Sequence, residues 1–552
     1  MTSASEEEII EHRLKSKRFL LVLDDIWACQ EDEWKKLLAL LSKGGEKGCV
    51  VLVTTRILEV GRMVNTADSL MELGRLEDEE FMKFFEACAF DHPCPWEHYP
   101  LLRDVGRKIV NNLKGSPLAA KTVGRLLRNN ITVELWTKIS ESREWEQKTG
   151  DNDIMPALKL SYDYLPFHLQ QCFSYCALFP EDYEFDGNEL IYWWIGQDLL
   201  HSLDQNKTVE DVGHKYLNDL VNHAFFRKTE NENGHPRYIV HDLLHELALK
   251  MVSHECLSIC CSNLRSKQIS PYVRHLSIII DEDIQDRETF EYYKKDFSAL
   301  DKRIKFENLR TLMLFGKYQG CFVNTIGDLF RKATALRTIF CGESYNVEDL
   351  VPRFSKLVHL RYLRISRDTF TRLPPRLPIT ISRLYQLKIL DVYAIYNSSL
   401  QRDINNLINL QHFVVSNISI ESNIYGADKL THLHSEILEV GKLHNLKELR
   451  KFEVKKENCG FELKQLEKLQ GLQVLGIYNL EKAKGNDEAS EAKLIQKQSL
   501  KELTLDWGFS RSEHAMQDEN FLEYLKRHSN LQKLSIKRHR GAKCPTWLGK
   551  NL

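Results

Sequence analysis

The sequence predicts a multidomain protein in which a small α/β sheet domain is followed by helical domains and then by a repeat solenoid. A strand–helix–strand pattern over residues 19–56 predicts the α/β part. Aromatic-rich helical patterns from about residue 150 predict the helical part. Leucines that recur every 23–27 residues beyond residue 300 predict the solenoid. A chain of 552 residues has room for about three or four such domains.

Composition restricts the class of protein. Hydrophobic residues make up 43% of the chain and charged residues 28%, while the net charge of −2 gives no bulk attraction to nucleic acid or to an anionic membrane. The acidic N-terminal residues do not form a signal peptide, and no apolar run approaches the ~20 residues of a membrane span. Thirteen cysteines without framework spacing indicate reduced thiols. We therefore expect an intracellular protein, cytoplasmic or nuclear, without a membrane span.

The first predicted strand ends in two carboxylates. Phe19–Leu23 is a run of five apolar residues, too short for a helix and typical of a strand buried on both faces. Asp24 and Asp25 follow directly. Ligands of open parallel sheets bind beyond the carboxyl ends of the strands, so Asp24 is placed to hold Mg²⁺ beside a nucleotide's phosphates. The alternative is an ordinary buried strand with a solvated turn.

A second strand is predicted to end at the same edge of the sheet. An amphipathic helix follows the first strand, and the run Cys49–Val53 then ends in Thr54, Thr55 and Arg56. A strand–helix–strand crossover places both strand ends on one edge. Carboxylates for a metal and a guanidinium for a phosphate are complementary parts of a nucleotide site. A surface arginine remains the alternative for Arg56.

Helical patterns continue through the middle of the chain. Two predicted helices flank Gly115 and Pro117, and Pro117 can begin the second of them. Cys172 and Cys176 are one helical turn apart, without a second pair nearby, so we predict core thiols rather than metal ligands. The helices of this region carry few Lys or Arg residues, so nucleic acid is an unlikely partner.

The C-terminal half carries the repeat. Leu309, Leu336, Leu360, Leu387 and Leu410 each open an L-x-x-Φ pattern, and Leu446, Leu472, Leu500 and Leu531 continue it more loosely. This period predicts a leucine-rich-repeat solenoid with one short strand per turn, stacked into a horseshoe. In the repeat that opens at Leu360, the side chains of Leu360, Leu363 and Ile365 should point inward.

Outward positions of these strands should line the concave face. They include Thr311, Met313, Phe315, Tyr362, Arg364, Ile389, Asp391, Tyr393, Glu502, Thr504, Asp506, Lys533, Ser535 and Lys537. Mixed aromatic and charged residues on a concave sheet suit protein recognition. We predict a partner-binding face at Tyr362, Arg364, Asp391, Tyr393, Glu502 and Asp506. A merely structural array is the alternative.

Five motifs in order resemble those of one family. They are KRFLLVLDDIW (17–27) with GCVVLVTTR (48–56), GSPLAA (115–120), CFSYCALFP (172–180) and VHDL (240–243). They resemble the Walker B, sensor, GLPLA, CFxYCxLFP and MHD motifs of the NB-ARC module in plant leucine-rich-repeat disease-resistance proteins. Ser116 replaces Leu in GLPLA, and Val240 replaces Met in MHD.

This resemblance implies a domain order and a cofactor. It implies a nucleotide-binding subdomain (1–76), a helical subdomain (77–149), a winged-helix subdomain (150–262) and repeats (272–552). The cofactor would be ADP or ATP with Mg²⁺, which in the family drives a slow ATPase switch; no catalytic residue is assigned here. The residues that would contact it are Asp24, Asp25, Thr55, Arg56, Pro117 at the adenine base and His241 at the β-phosphate.

The resemblance also implies that Asp242 caps the helix that follows His241. His241 and His245 are four residues apart, so zinc is a weak alternative, because the order H-D-L-L-H-E is not that of a metalloprotease. We expect His245 to lie on a helix face.

The phosphate-binding loop of the family is missing from this sequence. No G-x-x-x-x-G-K-[ST] pattern occurs, and the Gly-Lys pairs at 316–317, 441–442 and 549–550 are not followed by Ser or Thr. Family members place a strand and this loop upstream of Walker B, so we expect a chain truncated before Walker B and within the repeats. Its partial P-loop NTPase sheet should have a gap, or close directly with altered register, where the missing strand would lie.

The expected function follows from the resemblance. We expect an immune-receptor-like protein of the plant defence response with an impaired ADP/ATP switch. Its repeats would bind a protein partner or a pathogen effector and would contact the NB-ARC module within the chain. The alternative is a non-signalling interaction protein, a decoy or regulator, that binds no nucleotide.

Overall fold

The structure is a computed structural model in which the chain divides into two compact units, residues 1–78 and 79–552. It describes residues 12–14, 17–26, 31–44, 48–65, 70–91, 95–146, 154–201, 207–232, 234–260, 269–280, 297, 300, 302–316, 327, 330–342, 354, 356–366, 379–393, 404–416, 439–455, 460–508, 521–539 and 545–548. Among these, no helix is long and apolar enough to cross a membrane.

The first unit contains a two-stranded parallel sheet. Strands β1 (Leu20–Leu23) and β2 (Val50–Val53) pair directly, with Leu20 opposite Val50. Helix α1 (Glu31–Gly44) connects them, and α2 (Leu58–Val64) follows β2. Of the two expected alternatives, the described strands therefore show direct closure rather than a gap.

The predicted burial of the first strand on both faces is wrong. Side chains of Leu20 and Val22 are 64% and 51% exposed. Trp34, Val60 and Val64 form the core of this unit, and the helices that carry them cover only the other face of the sheet. A strand covered on one side alternates between exposed and half-buried residues.

A helical cluster opens the second unit. Its helices are α3 (Asp78–Ala89), α4 (Pro95–His98), α5 (Arg103–Asn112), α6 (Pro117–Arg128) and α7 (Val133–Ser140). Their apolar stripes meet around the fully buried side chains of Phe85 and Trp136, whose rings make an edge contact at 6.1 Å between centroids. Burial of these stripes, more than helix propensity, holds such helices together.

The next region has the layout of a winged helix. Its helices are α8 (Met155–Asp163), α9 (Phe167–Ser174), α10 (Gly187–Gly196), α11 (Val209–Asn222) and α12 (Asp242–Met251). Its antiparallel sheet places β5 (Pro236–Ile239) between β3 (Phe185–Asp186) and β4 (Arg227–Glu230). Cys172 and Cys176 are fully buried in the core of this region, as predicted.

The repeats form two parallel sheets whose strands pair in chain order. The first repeat sheet contains β6 (Cys256–Cys260), β7 (His275–Ile279), β8 (Thr311–Phe315), β9 (Thr338–Cys341), β10 (Tyr362–Ile365), β11 (Ile389–Tyr393) and β12 (His412–Ser416). The second contains β13 (Glu448–Glu453), β14 (Val474–Tyr478), β15 (Glu502–Asp506) and β16 (Lys533–Lys537), with α13 (Asn486–Glu491) between β14 and β15.

The leucine pattern correctly predicts the inward face of these sheets. Leu360, Leu363 and Ile365 are at most 2% exposed, and they belong to one continuous apolar core that runs through both sheets. No single repeat could bury this apolar edge alone, so the stacking of neighbours supplies the core.

Candidate functional site

The polar edge of the first unit is assembled as the crossover predicts. The Thr54 hydroxyl donates to an Asp24 carboxylate oxygen and accepts from the Asp25 backbone N–H at 2.8 Å. Arg56 faces both carboxylate oxygens of Asp25 at 3.3 Å. The Thr55 hydroxyl donates to the Ile26 carbonyl at 2.6 Å. Two strand ends thus bring two carboxylates, two hydroxyls and one guanidinium to a single edge.

The donor chemistry of this edge fits the metal side of a nucleotide site. Carboxylate and hydroxyl oxygens are ligands that Mg²⁺ accepts, either directly or through water. In the described part of the chain, however, no group of three or more His, Cys, Asp or Glu residues is arranged to hold a metal ion alone. A metal at Asp24 would therefore take further oxygen ligands from outside this group of side chains, such as water or a phosphate.

Pro117 lies at the start of a helix, as predicted. It is the first residue of α6, where its missing N–H costs no hydrogen bond. Ser116 caps this helix, since its Oγ accepts from the Ala119 N–H at 3.4 Å. The residue that departs from the family motif thus has a local structural role, which an S-P pair at a helix start could have indicated.

His241 occupies the N-cap position of α12, while the Asp242 carboxylate, predicted to cap this helix, accepts from the Leu243 N–H at 2.7 Å. The His241 Nδ1 accepts from the Leu243 N–H at 3.3 Å, and Asp242 is the first helical residue. The His241 side chain remains half exposed.

His245 lies on the buried face of the same helix. Its Nε2 donates to the Phe179 carbonyl at 2.9 Å, and burial lowers its pKa. A neutral ring in this position holds α12 against the preceding segment of the winged helix, which is a structural role.

The outward face of the first repeat sheet is covered by the winged helix. Trp193 of α10 packs on Tyr362 with 4.4 Å between ring centroids, and both side chains are fully buried. Outward side chains of the sheet that join the winged-helix core are Met313, Phe315, Phe340, Tyr362, Ile389 and Val414. An intramolecular contact between the NB-ARC module and the repeats was expected from the family, and these residues form one.

Polar contacts complete this covered face. Gln197 donates to the Thr311 hydroxyl at 2.9 Å and to Thr338. Arg364 pairs with Glu189 of α10 and lies 3.5 Å from Asp391. In this structure, three of the residues predicted to bind a partner, Tyr362, Arg364 and Asp391, are therefore engaged inside the chain rather than on an open surface. The side chain of Tyr393, a fourth, lies outside the described residues.

Carboxylates of the winged helix also reach the edge of the repeats. Asp198 pairs with Arg361 and, at 3.2 Å, with Lys388. Glu210 accepts from His412 Nε2 at 2.8 Å, and Asp211 pairs with Lys501 at 2.9 Å.

The environment of Glu210 favours its charged form. Burial would raise the pKa of Glu210, but the hydrogen bond and the charge of His412 outweigh it and lower the pKa to about 2. Glu210 is thus an anion at any physiological pH, which keeps the contact between α11 and the repeats polar and directional.

The second repeat sheet keeps a polar outward face. Glu502 is 42% exposed and 3.6 Å from Lys533, while Asp506 is buried and paired with Arg538. Lys533 and Lys537 are exposed. Of the six residues predicted to bind a partner, Glu502 is thus the one whose described side chain remains accessible.

Sequence reasoning missed the winged-helix side of this interface. Glu189, Trp193, Gln197 and Asp198 lie in or directly after α10 and supply most of its specific contacts. The available signal was the helix Gly187–Gly196, which is apolar nearly all round; such a helix must be buried on more than one side.

Comparisons with known families agree with this architecture. The NB-ARC domain matches residues 1–94, the disease resistance protein winged helix domain matches residues 178–248, and the R13L1/DRL21 leucine-rich repeats match residues 462–552. Among solved structures, the chain is similar to one in a TLR13–ssRNA13 complex with 15% identity, covering 52% of this chain and 44% of that one. The TM-score of 0.26 is too low to establish a common fold.

Curated relatives extend the match over the whole chain. The putative disease resistance protein RGA1 of Solanum bulbocastanum is 31% identical over 552 residues, which is 100% of this chain and 50% of that protein. Disease resistance protein RGA2 of the same species is 31% identical, covering 99% of this chain and 50% of its own length. The putative disease resistance protein At3g14460 of Arabidopsis thaliana is 29% identical, and the match covers 97% of this chain and 36% of that protein.

The chain thus spans about half the length of the first two of these relatives. All three motif-bearing regions, the polar edge of the first unit, the winged helix and the repeats, lie inside the matched span. The chain belongs to the plant disease-resistance proteins that combine an NB-ARC domain, a winged helix and leucine-rich repeats.

Proposed function

We propose that this protein acts as an intracellular immune receptor of the plant defence response, in the cytoplasm or the nucleus. The observation that carries the proposal is the burial of Tyr362 and its neighbours against Trp193. A recognition sheet covered by the winged helix supports this proposal, because a partner that binds the sheet would favour the state in which the winged helix has moved away. The repeats would continue the two sheets as a horseshoe and recognise a protein partner or a pathogen effector.

The nucleotide switch is proposed to be impaired in the 552-residue protein. Asp24, Asp25, Thr55 and Arg56 would supply the metal and sensor side of an ADP or ATP site, and Pro117 and His241 would contact the base and the β-phosphate. Bound Mg²⁺ would neutralise phosphate charge. The backbone amides and lysine of a G-x-x-x-x-G-K-[ST] loop, which hold most of the phosphate oxygens in such sites, do not occur in this sequence.

Isothermal titration of the purified 552-residue protein with ADP and with ATP, each with Mg²⁺, tests this proposal. We expect dissociation constants well above about 1 μM, equivalent to less than about 8 kcal/mol of binding free energy. Asp25→Ala and His241→Ala should each weaken the remaining binding further. ADP binding tighter than about 1 μM would show that the switch is intact.

A non-signalling interaction protein is the second candidate function. The accessible, charged outward face of the second repeat sheet favours it, because that face could bind a partner without any nucleotide. This candidate predicts that no heat of binding is measured even at an ADP concentration of about 1 mM. The receptor proposal still predicts weak binding at that concentration, and this binding should depend on Asp25.

A further inference from the structure

One position in the repeats forms a ladder of basic residues. It is the residue directly before each strand, occupied by Arg274, Arg310, Arg337, Arg361 and Lys388 in successive repeats of the first sheet. The backbone N–H of each donates to the carbonyl of the one before at 2.7–2.8 Å. Strands of a sheet are about 4.8 Å apart, so these side chains start from neighbouring, equivalent points along one edge.

Part of the ladder is neutralised by the winged helix. Arg361 and Lys388 share the carboxylate of Asp198. Lys501 occupies the same position in the second sheet and pairs with Asp211 at 2.9 Å. The side chains at this position therefore take protein carboxylates as partners wherever the winged helix reaches them.

The first three arginines of the ladder pair with no carboxylate of the winged helix among the described residues. Arg274 is 3.4 Å from Glu255, whereas Arg310 and Arg337 have no ion pair or side-chain hydrogen bond among the residues that the structure describes. The pKa of Arg310 is lowered by burial and by the positive charges of Arg337 and Arg274, so the three guanidinium groups influence one another. Like charges on directly neighbouring strands are destabilising, and an anion placed between them would remove that cost.

We propose that Arg274, Arg310 and Arg337 form a docking site for an acidic, extended peptide segment of a partner protein. Arginine forks bind carboxylates in a bidentate manner, and the long arginine side chains can reach successive carboxylates of a segment with several Asp or Glu residues. The ion pair of Asp198 with Arg361 lies directly beside Arg337 in this ladder, and it uses a protein carboxylate, which is why we favour a peptide over a phosphate ligand. The site is separate from the outward face of the second sheet.

Fluorescence anisotropy with a labelled hexaglutamate peptide tests the proposal on the full 552-residue protein. The double substitution Arg310→Gln/Arg337→Gln should weaken binding at least about tenfold, because it removes two of the three guanidinium groups that would bind the peptide carboxylates. The matched control Lys533→Gln/Lys537→Gln removes two exposed positive charges from the far end of the repeats. It should change binding less than about twofold, since distant exposed charges are screened by salt.

Three results would overturn the proposal. The first is no peptide binding by the unsubstituted protein, and the second is equal weakening in both double variants. The third is displacement of the labelled peptide by pyrophosphate at a lower concentration than by unlabelled hexaglutamate, which would assign the site to phosphate anions.

A thermal melt separates this role from a structural one. Removal of two neighbouring like charges should leave the melting temperature of Arg310→Gln/Arg337→Gln unchanged or higher. If that variant is less stable instead, the double variant Arg310→Lys/Arg337→Lys decides between a binding role and a structural role. This variant keeps the charge but loses the bidentate fork, so the proposal expects intermediate binding, and unaltered binding contradicts it.

Discussion

The two repeat sheets share one sequence pattern but differ in what their outward faces contact. In the first sheet, outward residues such as Met313 and Tyr362 are fully buried under the winged helix. In the second sheet, the equivalent residue to Tyr362 is Glu502, which is 42% exposed. The inward leucines of both sheets are buried alike.

This difference shows that a repeat pattern defines only half of a strand's surroundings. The inward face follows from the leucines, because stacking of repeats must bury them. The use of the outward face depends on another part of the chain, here the apolar helix Gly187–Gly196. A recognition surface and an intramolecular surface can therefore lie side by side on one continuous core.

A charge at Tyr362 should destabilise the protein far more than the same charge at the equivalent position of the second sheet. Tyr362→Lys removes the packing with Trp193 and buries a cation, so we expect a loss of about 4 kcal/mol or more of stability. Glu502→Lys, at the equivalent position of the second sheet, should cost less than about 1 kcal/mol. Urea unfolding followed by tryptophan fluorescence measures both, and equal shifts of the midpoint would argue against a covered first sheet.

Acid should weaken the covered sheet through His275. Burial, and then the charges of Arg310, Arg274 and Arg337, lower the pKa of this ring to about 3. Between that value and the ordinary pKa of about 6.5, the unfolded chain binds the extra proton, so stability falls as the pH falls. The expected loss from pH 6.5 to 4.5 is about 2 kcal/mol.

Unfolding midpoints measured across this pH range should be less pH-dependent in His275→Gln. The His275 ring packs edge-on against Tyr175 of the winged helix, so the acid effect belongs to the interface as well as to the sheet. A substituted protein with the same acid sensitivity as the original would assign the effect to other groups.

Close backbone approach should make Gly196 sensitive to a single methyl group. A Cβ there would lie 2.9 Å from the Tyr362 Cβ and 3.0 Å from the Thr338 Oγ1. Gly196→Ala should therefore cost about 2 kcal/mol despite the better helix propensity of alanine. Gly471→Ala in the second sheet's repeats, where no atom comes closer than 3.7 Å, is the control and should be nearly neutral in the same thermal melt.

Asp198→Asn should have the smallest effect. It removes the partner of Arg361 and Lys388 at a half-exposed site, so the expected loss is about 1 kcal/mol and should shrink at high salt. Glu31→Gln, which breaks a fully solvated pair with Lys35 in the first unit, should leave the melting temperature unchanged. A loss of stability in Asp198→Asn that does not depend on salt would contradict an electrostatic role for the contact of Asp198 with Arg361 and Lys388.

Much of the fold could be predicted from local pattern. The leucine spacing predicted the repeat strands and their inward residues, and the strand–helix–strand crossover predicted that Asp24, Asp25 and Arg56 would share one edge. Both are consequences of short-range geometry, since a strand has a period of two and a crossover has a fixed hand.

Features that depend on distant parts of the chain could not be predicted. Phe19–Leu23 was expected to be buried on both faces, yet Leu20 and Val22 are exposed, because an apolar run does not reveal how many layers cover it. The burial of Tyr362 depends on a helix some 170 residues earlier. The outward apolar residues Met313, Phe315 and Phe340 were the available signal, because a freely solvated face would carry fewer of them.

Hydroxyl-radical footprinting of the full protein tests the central claim most directly. It compares side chains on the outward faces of the two repeat sheets, after correction for the intrinsic reactivity of each residue type. We predict that Met313 and Tyr362 are modified far more slowly than the half-buried Tyr478 of the second sheet. Modification of Met313 and Tyr362 at the rate of Tyr478 would show that the winged helix does not cover the first sheet.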